Sequence, residues 1–260
     1  MIKRLKLFSI LLLFASSIFL FENCVKKDID YLSNKPGRVP HDSDNPNDTI
    51  PFTDEEIQLI MDGDSADLMR VLKIHTIVGT DTITNYEDSV NLRRTAINVI
   101  PDSNDIVLQR LIDRMYTTVN DSLNPGVGIA APQVGINRNI IWVQRLDKTN
   151  KPFEVYLNPK IIAYSNKKII FMWDGCLSIP GISGKTDRYS AVCVEYDLLD
   201  GTHHTEVVEG YSSLNFTSVI FQHEIDHLLG VLFIDRIHVY SKIMSEEQFD
   251  IFEQTMEKGN

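Results

Sequence analysis

The sequence is poor in the features that mark specialised classes of protein. It has three cysteines, at positions 24, 176 and 193, which are too few and too widely spaced for a disulfide framework. It has no internal repeat and no cluster of basic residues beyond the first six positions. The formal net charge of −11 argues further against a nucleic-acid partner. What remains is an acidic chain with enough apolar residues, 43%, to bury a core of its own.

Long hydrophobic runs are scarce too, and the clearest one lies at the N-terminus. Residues 7–21 carry no charge and follow a short basic stretch formed by Lys3, Arg4 and Lys6. This order is typical of a secretory signal. The run is shorter than the roughly 20 residues that cross a bilayer as a helix.

The residues after this run decide which kind of signal it is. Glu22 and Asn23 offer no small-residue cleavage site, but Cys24 stands directly behind the run and is similar to the modified cysteine of bacterial lipoproteins. We expect residues 1–24 to be a signal peptide, a lipoprotein signal or an uncleaved anchor. The protein would then lie in the cell envelope and touch the membrane through this segment only. A cytoplasmic location is the alternative.

A polar stretch separates this segment from the main body of the chain. Residues 25–52 are rich in Asp, Asn, Pro and Ser, which predicts a flexible tether. The capping box at residues 53–56 predicts a short helix. We therefore expect a tether with one helix over residues 25–65 and one catalytic domain over residues 66–260.

Hydrophobic patterns within the domain predict an α+β fold. Residues 103–119 have the spacing of an amphipathic helix, residues 215–229 form a second helix that ends at Gly230, and residues 245–248 cap a last helix. Strands are indicated at residues 139–144, 153–157, 168–171, 191–196 and 205–208, with a hairpin turn at residues 200–201. We expect short mixed or antiparallel sheets around the central helix 215–229.

Residues 223–227, His-Glu-Ile-Asp-His, carry the strongest functional pattern. On a helix, His223 and His227 lie one turn apart on one face, so both imidazoles can bind one metal ion. Glu224 lies about 100° further round the helix axis, where it can reach a water on that ion. A single histidine on an apolar face is more often a core residue, but a pair at this spacing with a carboxylate favours a hydrolytic metal site.

Such a site needs a third protein ligand. The downstream candidates do not continue the longer motif of zinc peptidases; they are Asp235, His238, Glu246 and Glu247. Asp235 and Arg236 are expected to pair with each other or with solvent. Upstream, Cys176 has no evident structural role, and a thiolate is a strong ligand for a divalent metal. Cys193 lies in an apolar strand and is expected to be a small core residue.

Three segments in order resemble the motifs of bacterial peptide deformylase. They are Gly-Val-Gly-Ile-Ala-Ala-Pro-Gln at 126–133, Asp-Gly-Cys-Leu-Ser at 174–178 and Gln-His-Glu-Ile-Asp-His-Leu-Leu-Gly at 222–230. The resemblance covers about residues 70–250 and includes the segments 91–94 and 157–159. It implies a deformylase-like fold and a hydrolase of protein biosynthesis that removes the N-formyl group from formyl-methionyl peptides and releases formate.

The resemblance also implies the residues of the site. The metal ligands would be Cys176, His223 and His227, which would bind one divalent ion. That ion would be Fe(II), the usual metal of the family, with Zn(II) as the alternative. A water on the ion would attack the formyl carbon as hydroxide. The groups that assist would be Glu224 as general acid/base, with Gln133 and the backbone N–H of Leu177 at the developing oxyanion.

The implied substrate is an N-formylated peptide that lies extended along a strand edge. Gly128 would contact the peptide backbone, flanked by Val127 and Ile129. An apolar pocket for the methionine side chain would be formed by Phe216, Val219 and Ile220.

The sequence departs from the family pattern in two places. Asp174 stands where the family usually has glutamate. In the family this acidic residue pairs with an arginine, which corresponds to Arg188 here. Because aspartate is one methylene shorter than glutamate, we expect the loop that carries Cys176 to be held less firmly. Residues 181–184 lack the polar and basic residues that many relatives place after the proline.

Two other functions remain open at this point. One is an envelope metallopeptidase or amidase that acts on other acyl-amides, which would cleave unformylated peptides. The other is a non-catalytic lipoprotein that keeps the fold as a binding module. The complete set of metal ligands, together with Gln133 and Glu224, favours a catalyst.

Overall fold

The computed structural model describes residues 49–78, 81–238 and 244–245. Within them lie four α-helices: α1 (Asp54–Met61), α2 (Tyr86–Leu92), α3 (Ile106–Val119) and α4 (Thr217–Leu228). Two short 3₁₀ turns follow β3 and α4, at Ala131–Val134 and Phe233–Arg236. None of the described helices is long and apolar enough to cross a membrane.

The strands form three antiparallel sheets. They are β1 (His75–Val78), β2 (Asp81–Thr84), β3 (Gly128–Ala130), β4 (Ile140–Gln144), β5 (Phe153–Tyr164), β6 (Lys168–Cys176), β7 (Ile179–Tyr189), β8 (Ala191–Asp197), β9 (His203–Glu209) and β10 (Met244–Ser245). The largest sheet has the order β3-β4-β5-β8-β9, the second has the order β10-β7-β6, and β1 pairs with β2. The expected α+β fold is therefore confirmed, with antiparallel rather than mixed sheets.

Helix α4 is the central element around which the sheets pack. Every one of its residues is buried, so both its apolar and its polar faces meet protein. The helix ends where expected, because Gly230 adopts a φ of +67°. A Cβ at this position would overlap the carbonyl oxygen of Arg93, so the close approach requires glycine.

The second motif lies in a strand, which corrects the expectation of a loop at Cys176. Strand β6 runs on through Asp174 and Gly175 to Cys176, and β7 begins only three residues later, at Ile179. β6 follows β7 with two register shifts, the kind of irregularity at which sheets accept a glycine such as Gly175.

The N-terminal helix α1 packs against the main body of the chain. Thr53 and Glu56 form the predicted capping box, and Ile60 is fully buried in the core cluster that contains α3. Arg138, which is also buried, binds the carboxylate of Glu56 at 2.5 and 2.8 Å and the carbonyl oxygen of Pro51 at 2.6 Å. Residues 51–61 are thus held to the main body by both apolar packing and buried hydrogen bonds.

The remaining predictions about the fold concern single residues and the C-terminal end of the chain. Asp235 and Arg236 do not pair with each other: Asp235 binds Arg93 and Arg236 binds Asp226, because the 3₁₀ turn directs the two side chains to different neighbours. Cys193 lies in β8 as expected but is only half-buried. Ser245 ends a strand, and the rest of the predicted C-terminal helix lies outside the described residues, as do residues 1–24.

Candidate active site

Three potential metal ligands meet where the end of β6 faces α4. The Cys176 sulfur and one nitrogen each from His223 and His227 all lie within 4.8 Å of one another. The Sγ atom of Cys176 is 3.2 Å from Nε2 of His227. The helix presents the two imidazoles one turn apart, and the antiparallel pairing of β6 with β7 brings the sulfur to them.

This donor set fits a divalent transition-metal ion. Two ligands about 2.0–2.3 Å from one ion at tetrahedral angles lie roughly 3.3–3.6 Å apart. The sulfur of Cys176 and Nε2 of His227 are 3.2 Å apart, close to that range. Burial and the neighbouring His223 hold the pKa of His227 well below its usual value, so this ring is neutral and can donate a lone pair. One thiolate and two imidazoles suit both Fe(II) and Zn(II) and leave a coordination position for a small molecule.

Asp174 orients the first histidine. Its Oδ1 lies 2.7 Å from Nδ1 of His223, which leaves Nε2 of the ring to face the sulfur and the second imidazole. Its Oδ2 accepts a hydrogen bond from Arg188 at 2.7 Å. Burial would raise the pKa of Asp174, but Arg188 and His223 together hold it well below the usual range. The carboxylate is therefore ionised and supports the histidine from behind.

The same arginine ties this carboxylate to the helix. Arg188 donates to Asp226 at 2.6 Å, and Asp226 also accepts from Arg236 at 2.6 Å. Two carboxylates and two guanidinium groups thus alternate through the interior, and their charges cancel. The pair of Asp174 with Arg188 was predicted from the sequence. Nothing in the sequence indicated that Asp226 would continue this chain of ion pairs to Arg236. The aspartate reaches both partners at normal hydrogen-bond lengths, so the looser hold expected from its shorter side chain is not seen.

Glu224 follows the first histidine on α4, and its side chain is buried. Burial raises the pKa of its carboxyl group to about 7, and its Oε2 atom has no hydrogen-bond partner among the described residues. A carboxyl group with a pKa near neutrality suits proton transfer in both directions. Gly128 makes room for it, since a Cβ there would lie 2.6 Å from Oε1 of Glu224.

The side chain of Gln133 lies beside the sulfur of Cys176. Its Oε1 accepts a hydrogen bond from the backbone N–H of Ala130 at 2.8 Å, so the side-chain NH₂ group must point the other way. That group lies 3.5 Å from Sγ of Cys176 and 3.3 Å from Oγ of Ser178. A fixed donor is thereby held next to the candidate metal position.

A groove of about 830 Å³ opens onto this cluster. The predicted substrate residues that line it are Val127, Gly128, Phe216, Val219 and Ile220, and Leu177, the predicted backbone donor to the oxyanion, lines it too. Ile129 does not: its side chain is fully buried in the core between α3 and the sheet, because side chains alternate across β3 and Gly128 takes the groove side. The groove also has walls that the motifs did not indicate, formed by Leu68, Arg70, Lys73, Thr76 and Trp173.

The known proteins to which this chain is similar are peptide deformylases. The family described as polypeptide deformylase matches residues 80–242. A peptide deformylase 2 of Nostoc sp. is 36% identical over 156 residues, which cover 58% of this chain and 83% of that protein. A peptide deformylase of Hydrogenovibrio crunogenus is 37% identical over 156 residues, 60% of this chain and 86% of that protein.

Solved structures give the same result. The class I type b peptide deformylase of Acinetobacter baumannii with Met-Ala-Ser bound superposes with a TM-score of 0.52 at 32% identity. The matched residues make up 66% of this chain and 99% of that protein. The peptide deformylase of Thermotoga maritima has a TM-score of 0.53 at 31% identity, with the same coverage.

Asp174→Asn should weaken metal binding. Asparagine has only one acceptor oxygen, so it cannot accept hydrogen bonds from both His223 and Arg188 as the two carboxylate oxygens do. It also removes one of the negative charges that balance the buried guanidinium group of Arg188. Loss of such a supporting partner lowers metal affinity about 10- to 100-fold. Competition with a chromophoric chelator measures this with Co(II) or Zn(II). Asp187→Asn is the matched control, since Asp187 also pairs with an imidazole, that of His238, but at the surface. Equal affinity of a folded Asp174→Asn protein would remove the orienting role.

Glu224→Gln should change how stability depends on pH in the metal-free protein. With a folded pKa of about 7 against an ordinary value of 4.5, the wild-type carboxyl group favours folding when protonated and loses that contribution as pH rises through 7. The loss is on the order of 3 kcal/mol by about pH 8, and glutamine cannot show it because it does not titrate. Urea unfolding at several pH values measures the difference between the two proteins. Glu209→Gln, at an exposed position, should follow the wild-type profile. Parallel profiles for wild type and Glu224→Gln would contradict the burial argument.

Proposed function

Because the chain belongs to the polypeptide deformylase family, we propose that it removes the N-formyl group from formyl-methionyl peptides and releases formate. The observation that carries the proposal is the meeting of Cys176, His223 and His227 beside a buried, near-neutral Glu224 in a groove. The Acinetobacter protein, which shares the fold, binds the peptide Met-Ala-Ser, the product expected of such a reaction.

The groove offers a place for an extended peptide. Strand β3 is an edge strand of the five-stranded sheet, and an edge strand is where an extended peptide can add to a sheet. The absence of a side chain at Gly128 permits that approach next to Glu224. Val219 and Ile220 of α4, with Phe216 before it, line the apolar part of the groove, which suits a methionine side chain.

The residues around the metal position have separate tasks. The bound ion would polarise the formyl group and lower the pKa of a water. The NH₂ group of Gln133 and the backbone N–H of Leu177 would donate to the oxygen that gains negative charge, and a donor of this kind is worth about 3 kcal/mol of barrier. Glu224 would take a proton from the water and pass it to the leaving amine, which becomes the free N-terminus of the peptide.

The metal we propose is Fe(II), with Zn(II) as the alternative. The mixed sulfur and imidazole donors are compatible with both ions, and the support for iron comes from the family resemblance of the three motifs.

We also propose that the protein is attached to the cell envelope, by lipid on Cys24 or by an uncleaved signal anchor. The support is the sequence of residues 1–24 alone, with its basic start, apolar run and following cysteine. Cell fractionation with labelled fatty acid should recover the protein in membranes, with the label lost in Cys24→Ser if the lipid is the anchor. Soluble protein with residues 1–24 intact would refute the proposal.

Formate release from formyl-Met-Ala-Ser tests the proposed activity. Iron-loaded protein kept anaerobic should turn over this peptide, and Glu224→Ala should lose at least about 100-fold in kcat because the proton carrier is gone, while it keeps its metal. Glu209→Ala, an exposed change of the same kind, should match the wild type.

The same assay separates the alternatives. Release of amino acids from unformylated Met-Ala-Ser would point to a peptidase. Failure of folded protein loaded with Fe(II), Zn(II), Ni(II) or Co(II) to release formate would refute the proposed function.

A further inference from the structure

The turn that carries Leu177 is followed by an irregular stretch of β7. Strands β6 and β7 pair Cys176 with Ile179, so Leu177 and the residue after it form the turn between the strands. The next residue of β7 that pairs with β6 is Ser183, so residues 180–182 bulge out of the register directly after the turn. Pairing with β6 therefore does not fix this stretch, and the position of the turn depends on other contacts.

One short segment, residues 72–75, joins this turn to the other proposed oxyanion donor; we call it the entry segment. The backbone N–H of Leu72 donates to the carbonyl oxygen of Gln133 at 2.7 Å. The backbone N–H of Ile74 donates to the carbonyl oxygen of Ser178, in the turn, at 3.0 Å. The entry segment thus bridges the two parts of the chain whose N–H groups are proposed to meet the oxyanion.

His75 adds a side-chain contact at the bulge itself. Its Nε2 lies 2.9 Å from the carbonyl oxygen of Pro180, and because a carbonyl oxygen only accepts, Nε2 carries the donated proton. The residue is only 7% exposed, so water competes little for this hydrogen bond. Two residues further along β1, Ile77 packs on Gly181, where an added Cβ would lie 2.7 Å from Cδ1 of Ile77. Strand β1 therefore holds the bulge at two neighbouring points.

The entry segment is itself fixed from its other side. Asn85, directly before α2, donates from its backbone N–H to the carbonyl oxygen of Ile74 and from its side chain to that of Lys73, each at 2.9 Å. The buried Asp88 of α2 accepts from the backbone N–H of Lys73 at 2.9 Å. A segment bonded on both sides can set the distance between the groups it touches. It lies before residue 80, where the match to the family begins, so the three motifs gave no signal for it.

We propose that His75 is a positioning residue of the site: by holding the carbonyl oxygen of Pro180, it fixes the Leu177 turn relative to Gln133, so that both donors face one developing oxyanion. The inference rests on the proposed function. Such donors act only when they point at the place where charge develops, and a misplacement of about 1 Å can cost about 100-fold in rate. Since the oxygen gains its charge in the transition state, loss of this contact should lower kcat and leave KM nearly unchanged.

Two substitutions of His75 separate its hydrogen bond from its packing. His75→Phe keeps a buried ring but has no donor, whereas His75→Gln keeps an N–H that can reach the same carbonyl oxygen. With iron-loaded, full-length protein and formyl-Met-Ala-Ser, we expect His75→Phe to lower kcat about tenfold and to keep KM within about twofold of the wild type. His75→Gln should recover most of the loss. His203→Phe, at an exposed position on β9, is the matched control and should behave as the wild type.

Three measurements other than turnover show whether the effect is confined to the turn. Calorimetric affinity for the product Met-Ala-Ser and the visible spectrum of the Co(II) form should not change in His75→Phe, because the groove and the metal ligands stay in place. Hydrogen exchange of the backbone amides in residues 177–182 should become about tenfold faster in the Zn(II) form. If His75→Phe does not fold, Asn85→Ala removes support from the other side of the entry segment and should produce the same changes in kcat and exchange.

The outcomes keep the two proposals apart. When the wild type releases formate, an unchanged kcat in folded His75→Phe overturns the positioning role alone, even if exchange becomes faster. A His75→Gln protein no better than His75→Phe overturns it too, because packing would then explain the loss. So does a fall in kcat that comes with weaker product binding and an altered Co(II) spectrum. A wild type that releases no formate refutes the proposed function, and the positioning role falls with it.

Discussion

The buried ion pair between Asp174 and Arg188 holds the candidate metal ligands in position. One carboxylate accepts from His223 and from the guanidinium group, and that guanidinium group also reaches Asp226 on α4. A buried pair of this kind contributes little net stability compared with apolar packing, but breaking it leaves an uncompensated charge. Its main effect here is geometric. It fixes strand β6 against α4, and the distance between these two elements decides whether a sulfur and two imidazoles can share an ion.

The candidate site combines strict positioning with an unfavourable environment for one of its groups. Gly128 packs against the Glu224 side chain, and burial of the carboxyl group raises its pKa to about 7. The same desolvation destabilises the ionised form in the folded state. Gln133 has no such conflict, because its oxygen is satisfied by Ala130 and its NH₂ group is directed at the reacting position. Readiness for proton transfer at Glu224 therefore lowers the stability of the folded protein, whereas the hydrogen-bond donor at Gln133 carries no such penalty.

Much of this could be predicted from local patterns. The spacing of His223 and His227 identified the helix face, and Cys176 followed as the third ligand once the motifs were considered together. The fully buried surroundings of α4 could not be predicted, because a short apolar run does not reveal how many sheets will pack on it. The strand at Cys176 was missed since Gly175 and Pro180 resemble breakers, and only pairing with β7 makes them part of a sheet. Ile129 was misplaced because the alternation of β3 depends on which side the core lies. Arg138 and Glu56, far apart in sequence, gave no signal that α1 packs against the main body.

The position of Cys176 has a consequence for how the protein matures. The sulfur comes from a strand in mid-chain, whereas both imidazoles lie on a helix more than forty residues further along the sequence. An unfolded polypeptide therefore has no preformed metal site. Any ion that binds only the folded form shifts the equilibrium towards it by mass action. The cellular supply of that ion would then govern how long each newly made copy survives proteolysis. Abundance of the protein would follow metal availability without any dedicated regulator.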